Sequence, residues 1–129
     1  MLYKKLEYNG KGAKIYFLVH DSGRCEVAEY LDDIQPKHKK KAIKYLQSLG
    51  DRFPHIRNPN LFKKLKGKGI DIVESRPAPY RILGFLDGHR QIVFAFCFKK
   101  QKGPTPRRHI EKAQRLYRIM VQNEEGNHG

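Results

Sequence analysis

The segment from Ile70 to Phe98 constrains the fold more than any other part of the chain. It reads as three consecutive strands, Ile70 to Glu74, Tyr80 to Leu86 and Gln91 to Phe98. Arg76-Pro77-Ala78-Pro79 separates the first two, and Asp87-Gly88, set between apolar runs, is a strong hairpin signal. Connections this short force antiparallel neighbours, so the stretch folds as a meander. Adjacent strands lie ~4.8 Å apart, which puts the outer two roughly 10 Å from each other. The end of the first strand, the start of the second and the end of the third then share one edge of the sheet. Arg76, Arg81, Lys99, Lys100 and Lys102 fall there, and Arg107, Arg108 and His109 open a helix just beyond. The opposite edge carries Asp87, His89 and Arg90, with Lys66 and Lys68 entering, so His89 stands away from the cluster.

Gathered cations repel one another, and the simplest reason to gather them is a phosphate. The whole chain points the same way. Its 129 residues make one small domain, with 27 Lys and Arg against 13 Asp and Glu, a net charge of +14. A polyanionic partner follows, nucleic acid or an acidic protein surface, beside the plainer reading of a merely basic surface. Lys37, Lys39, Lys40, Lys41 and Lys44 line one face of a helix from Pro36 to Leu49, whose other face carries Ala42, Ile43, Leu46 and Leu49. Gly50 is placed to end that helix in a left-handed conformation. Lys63, Lys64 and Lys66 project from a stretch that Leu61, Phe62 and Leu65 anchor to the core.

Arg81 is the informative position. Alternation puts it on a face with Leu83 and Phe85, where a guanidinium must find a carboxylate, a phosphate or the sheet rim. Glu74 on the neighbouring strand is the candidate carboxylate, which leaves a salt bridge and a functional phosphate ligand as open alternatives. Phe94, Phe96, Phe98 and Tyr117 read as core rather than as base-stacking platforms.

Other chemistry finds no support. Six histidines lack metal-ligand spacing, Gly67-Lys68-Gly69 lacks the spacing of a phosphate loop, and Cys97 lies in an apolar strand without a patterned base. No metal or cofactor is expected. Cys25 and Cys97 read as free thiols of a reducing compartment, and neither a signal peptide nor a membrane span is apparent, so a cytoplasmic protein with no membrane partner is expected. Before the meander, Leu2 to Tyr8 and Lys14 to Val19 suit strands, and Cys25 to Asp33 a short helix. After it, Thr105-Pro106 resembles an N-cap and first-turn pair. The helix that follows runs to about Val121, with Ile110, Ala113, Leu116, Tyr117 and Met120 as its stripe. Residues 1–121 make the domain, and 122–129 a flexible polar tail.

Arg76-Pro77-Ala78-Pro79-Tyr80-Arg81-Ile82-Leu83, Phe96-Cys97-Phe98-Lys99-Lys100 and Pro106-Arg107-Arg108-His109-Ile110-Glu111-Lys112-Ala113 resemble the RelE/ParE toxin superfamily, as does Leu61-Phe62-Lys63-Lys64-Leu65 before the first meander strand. The phage-derived HigB-like branch is the most similar. The resemblance spans Lys14 to Met120 and rests on the order and spacing of these four stretches. It implies an α/β (α+β) fold, with helices packed on a twisted antiparallel sheet: two from the N-terminal half on one face, and a C-terminal helix. It also implies a type II toxin that cuts mRNA on the ribosome without metal, by attack of a 2′-hydroxyl on the adjacent phosphate. Arg81 matches the arginine of the family's Tyr-Arg pair, Arg76 opens that stretch, and Lys100 matches a basic residue after the last strand. Arg81, Lys100 and His109 are the catalytic candidates. Arg76, Lys99, Lys102, Arg107, Arg108, Lys63, Lys64 and Lys66 are the candidates for RNA binding. The implied partners are ribosome-bound mRNA and a small helix-turn-helix, HigA-like antitoxin, in a homo-oligomer or a toxin–antitoxin heterotetramer. Ile72 and Glu74 stand where RelE itself has strand lysines. The alternative is therefore a non-catalytic binder of the same fold, a gyrase inhibitor or a phage nucleic-acid-binding protein.

Overall fold

A computed structural model describes residues 1–65, 69–100 and 102–128. The elements run β1 (Leu2–Asn9), β2 (Lys14–His20), α1 (Glu26–Asp33), α2 (Pro36–Arg52), β3 (Lys63–Leu65), β4 (Ile72–Ser75), β5 (Tyr80–Leu86), β6 (Gln91–Lys99) and α3 (Arg107–His128). The strands form one sheet in the order β1-β2-β6-β5-β4-β3. The expected meander is β4, β5 and β6, antiparallel throughout, with Ser75 opposite Ile82 and Tyr80 opposite Lys99. The β1–β2 hairpin joins it through β2, which runs parallel to β6 from Lys14–Gln91 to Phe17–Phe94. That pair makes the sheet mixed rather than wholly antiparallel.

Alternation along the strands feeds two cores. On one face Ile15, Val73, Ile82 and Phe94 meet Val27 and Leu31 of α1 and Ala42, Leu46 and Leu49 of α2. On the other, Ile72, Leu83, Phe85 and Phe96 meet Ala113, Leu116 and Met120 of α3. The two N-terminal-half helices share a face, as expected, and α3 takes the opposite one. The second face is as apolar as the first, and α3 carries the stripe that removes it from water.

Three local details differ from the sequence reading. Phe94, Phe96 and Phe98 do not form a single stripe. Leu83 pairs with Phe96 but Gly84 pairs with Phe94, so Ala95 is the extra residue of a β-bulge and Phe94 turns to the α1–α2 side. Gly84 permits the bulge, since a Cβ there would lie 1.9 Å from the Val93 carbonyl oxygen. Gly50 is not a left-handed stop. It sits inside α2, which continues to Arg52, and its carbonyl accepts from the Gly12 and Ala13 N–H groups at 2.9 and 2.8 Å. Finally, α3 extends past Val121, and the Asn123 amide donates to the Leu2 carbonyl at 3.2 Å.

Candidate functional site

The site lies where β4 ends, β5 begins, β6 ends and α3 starts, on the α3 face. Glu74 and Arg81 lie on neighbouring strands of this face, Glu74 fully buried and Arg81 4% exposed. The expected salt bridge exists but is indirect: Arg81 Nη1 stands 3.9 Å from Glu74 Oε2. Thr105 fills the gap. Its hydroxyl accepts from Arg81 Nη1 at 2.8 Å and donates to Glu74 Oε2. Arg76 Nε donates to the other carboxylate oxygen from a position part-way to solvent. A buried carboxylate is thus held by two guanidinium groups and a hydroxyl, the satisfaction that a buried charge requires.

Two sequence readings meet the structure here. Arg81, open in the sequence between a carboxylate and a phosphate, has the carboxylate beside it, with its side chain nearly buried and Nη1 bonded to Thr105. Its Nε is buried without a hydrogen-bond partner among the described residues. Thr105 is not the N-cap of α3, which begins at Arg107, because its hydroxyl serves Glu74 and Arg81 instead. A Thr-Pro pair before a helix reads the same in sequence whichever role the hydroxyl takes, so nothing local could have revealed it.

Beside this network stands an aromatic column. Phe98 is the register partner of Arg81 and therefore shares its face. The His109 ring lies on Phe98 with centroids 4.0 Å apart and planes 12° apart. Phe96 sits behind, 6.4 Å from Phe98 and 5.8 Å from His109, and Lys112 Nζ lies 4.3 Å over its ring. Lys112 also pairs with Glu26 of α1 at 2.8 Å. Burial against these rings lowers the His109 pKa, and the charges of Arg108 and Lys112 lower it further. Its neutral form is therefore favoured, and a neutral imidazole can accept a proton.

The remaining predicted cations divide. Lys63 pairs with Glu74 across β3 and β4 and so lies on the same face, at its exposed rim. Lys64, opposite Val73, turns to the other face. Lys99 does the same: its partner Tyr80 packs edge-on against Tyr30 of α1 and His38 of α2, at 5.7 and 5.4 Å. Lys99 is thereby removed from the Arg81 face. Lys100 is exposed, and its N–H donates to the Pro79 carbonyl at 2.7 Å, which fixes the backbone beside the site. Lys102, Arg107 and Arg108 are exposed, and Arg107 pairs with Glu111 one helical turn on at 3.1 Å. Lys66 and Lys68 lie outside the described residues. His89 and Arg90 sit at the far end of β6, where the Arg90 carbonyl accepts from the Lys14 N–H. Burial raises the Cys97 thiol pKa strongly, which leaves a nucleophilic thiolate there unsupported. Among the described residues no three His, Cys, Asp or Glu side chains gather as metal ligands would, and no helix is long and apolar enough to cross a membrane.

This arrangement of strands and helices is found elsewhere. The fold is similar to that of a chain in the crystal structure of the archaeal RelE-RelB complex from Pyrococcus horikoshii OT3, with a TM-score of 0.51 and 18% identity. The match covers 66% of this chain and 93% of that one. At such identity the likeness establishes the fold alone. Comparison with curated proteins gives no match. Residues 29–118, which run from within α1 through α2 and the meander to the middle of α3, match the family described as phage-derived protein Gp49-like. With most of the sequence covered by that match, the chain belongs to the Gp49-like family, a family of RelE-like toxins.

Proposed function

We propose that this protein is the toxin of a type II toxin–antitoxin pair and cleaves mRNA on the ribosome without a metal. One observation carries the reading: half-buried Arg76 follows the end of β4, exposed Lys100 follows the end of β6, and a His109 kept toward its neutral form opens α3, all at the same end of the sheet on a chain of net charge +14. The reaction needs little more. The RNA's 2′-hydroxyl gives up its proton and its oxygen attacks the adjacent phosphorus. The bond to the 5′-oxygen breaks, leaving a 2′,3′-cyclic phosphate and a 5′-hydroxyl once that oxygen gains a proton. The protein must align these atoms, move the proton and balance the charge on the phosphorane. His109 moves the proton. Lys100 and Arg76 take the phosphate oxygens, with Lys63 and Arg108 along the strand's backbone. Arg81, engaged with Glu74 and Thr105, positions Arg76 and the α3 start rather than touching the phosphate. The antitoxin is a small helix-turn-helix, HigA-like protein; the RelE-RelB pairing of the structural neighbour supports a protein partner without bearing on its class.

The burial of Arg81 favours one other reading, a non-catalytic binder of the same fold that inhibits gyrase. Toeprinting on translating ribosomes, run beside a gyrase supercoiling assay, separates the two. Wild type should cut ribosome-bound message and leave supercoiling untouched. His109→Ala should lower the cutting rate by on the order of 100-fold or more, the usual contribution of a positioned acid–base group. Supercoiling inhibition without cleavage would give the protein to the second reading.

A further inference from the structure

Phe98, His109 and Phe96 look at first like ordinary core, but the geometry of the column is not that of a closed core. Phe96 is 3% exposed and Phe98 and His109 are half-buried, so the column grades from interior to surface. Its outermost member is a nearly parallel pair, whereas Phe85 with Tyr117, further along this face, is edge-on with planes 76° apart. The His109 ring of this parallel pair lies in the first turn of α3, where Arg107 and Arg108 are exposed. Positive charge acts on it from Arg108 beside His109 and Lys112 one turn on, while Arg76 stands past the end of β4 on the Glu74 carboxylate. Flat aromatic faces within a cationic groove are how single-stranded nucleic acid is held without a hydrogen-bond code, the base on the ring and the backbone on the cations.

We propose that the His109–Phe98 pair is a stacking platform for one nucleobase of a single-stranded RNA, seated on the outward face of the imidazole. Phe98 fixes the plane of His109, Phe96 and Lys112 back it, and Arg108 and Arg76 receive the flanking phosphates. The inference rests on the nuclease reading and deepens it. With the base on its face, the imidazole presents its edge to the ribose of the same nucleotide, so one residue holds the substrate and moves its proton.

The test separates the ring's face from its nitrogens. An all-2′-O-methyl hexanucleotide carrying one 2-aminopurine cannot be cleaved, and stacking quenches its fluorescence. Wild type should bind and quench it at low salt. His109→Phe, which keeps the face and removes the nitrogens, should bind and quench as wild type does. His109→Ala should weaken binding by on the order of tenfold and abolish most of the quenching. His109 is half-buried in the first turn of α3, outside the closed core, so both variants should fold, which circular dichroism checks. A wild type that does not quench, an alanine variant equal to wild type, or a phenylalanine variant as weak as alanine overturns the platform. Cleavage is scored separately on unmodified, ribosome-bound message. Quenching without cleavage sinks the nuclease alone, and cleavage without quenching sinks the platform alone.

Discussion

The two faces of the sheet are built on opposite principles. The face under α1 and α2 is filled mainly by apolar side chains, Ile15, Val73, Ile82 and Phe94 among them, with the buried hydroxyl of Ser75 beside Ile82. The face under α3 begins the same way, with Ile72, Leu83 and Phe85, but ends in Glu74, Arg81 and Thr105, all at least nine-tenths buried. An apolar face asks only for volume and shape, and it tolerates exchange of one hydrophobe for another. An ionic end asks for every partner at once, because the desolvation of each charge is offset only by the others. The tolerant face is scaffold. The exacting end ties β4, β5 and the approach to α3 into one unit, and it lies beside His109 and Arg76.

Breaking that end should cost most. Glu74→Ala leaves Arg81 buried without a carboxylate, and loss of one partner of a buried pair typically destabilises by about 3–5 kcal/mol. On the opposite face Ile82→Val, equally buried, should cost about 0.5–1.5 kcal/mol. Urea denaturation of both variants measures the contrast. The double change Glu74→Leu with Arg81→Met sharpens it. If the charges are kept for the site rather than for stability, the double variant should recover most of the stability lost in Glu74→Ala while remaining inactive. A double variant as unstable as the single one would show that the ionic end holds the fold itself.

The same contrast marks what a sequence can and cannot display. The apolar packing of both faces was legible because its signals are local: the Asp87-Gly88 hairpin, the helical spacing of Ala42, Leu46 and Leu49, and the stripe from Ala113 to Met120. The Glu74–Arg81 pairing was legible as one of two readings, since adjacent strands in a meander fix their own register. Thr105 was not. It reaches Glu74 from 31 residues away and its position depends on a connection with no periodicity. The bulge at Ala95 was hidden because a run of Phe94, Phe96 and Phe98 reads as perfect alternation, and only the close approach that Gly84 permits breaks it. The parallel β2–β6 pair was hidden because no short turn joins those strands. The site divided likewise. Its edge residues were placed by the meander, but which face Lys99 takes at that edge was not specified; opposite Tyr80, it lies away from Arg81.

Thr105 offers a smaller and finer break. Thr105→Val keeps the shape and removes the hydroxyl, which leaves one donor on Arg81 and one acceptor on Glu74 unsatisfied. Such a loss costs about 1–3 kcal/mol. In the Glu74→Leu, Arg81→Met background the hydroxyl has nothing left to bridge, so the same substitution should cost less, and the difference is the coupling energy of a double-mutant cycle. Equal costs in both backgrounds would mean that the hydroxyl bonds in the crevice contribute nothing to the stability of the ionic end.

The smallest effect concerns pH and the boundary between the aromatic column and its cations. The charged groups near His109 are Arg108 and Lys112, while β6 turns only Phe96 and Phe98 toward it. Burial and these like charges hold its folded pKa below the ordinary imidazole value of about 6.5. Between the two values the unfolded chain binds more protons than the folded one. The contribution of His109 to stability is therefore fully present above about pH 6.5 and is lost as pH falls through the folded value. Thermal unfolding of wild type from pH 5 to 8 should show this slope, and His109→Phe should flatten it. An NMR titration of the imidazole gives the pKa directly. A value at or above 6.5 would remove both the slope and the argument that the ring stands neutral and ready to accept a proton. A lowered value with an unchanged slope in His109→Phe would assign the pH dependence to some other group and leave the column's electrostatics as described.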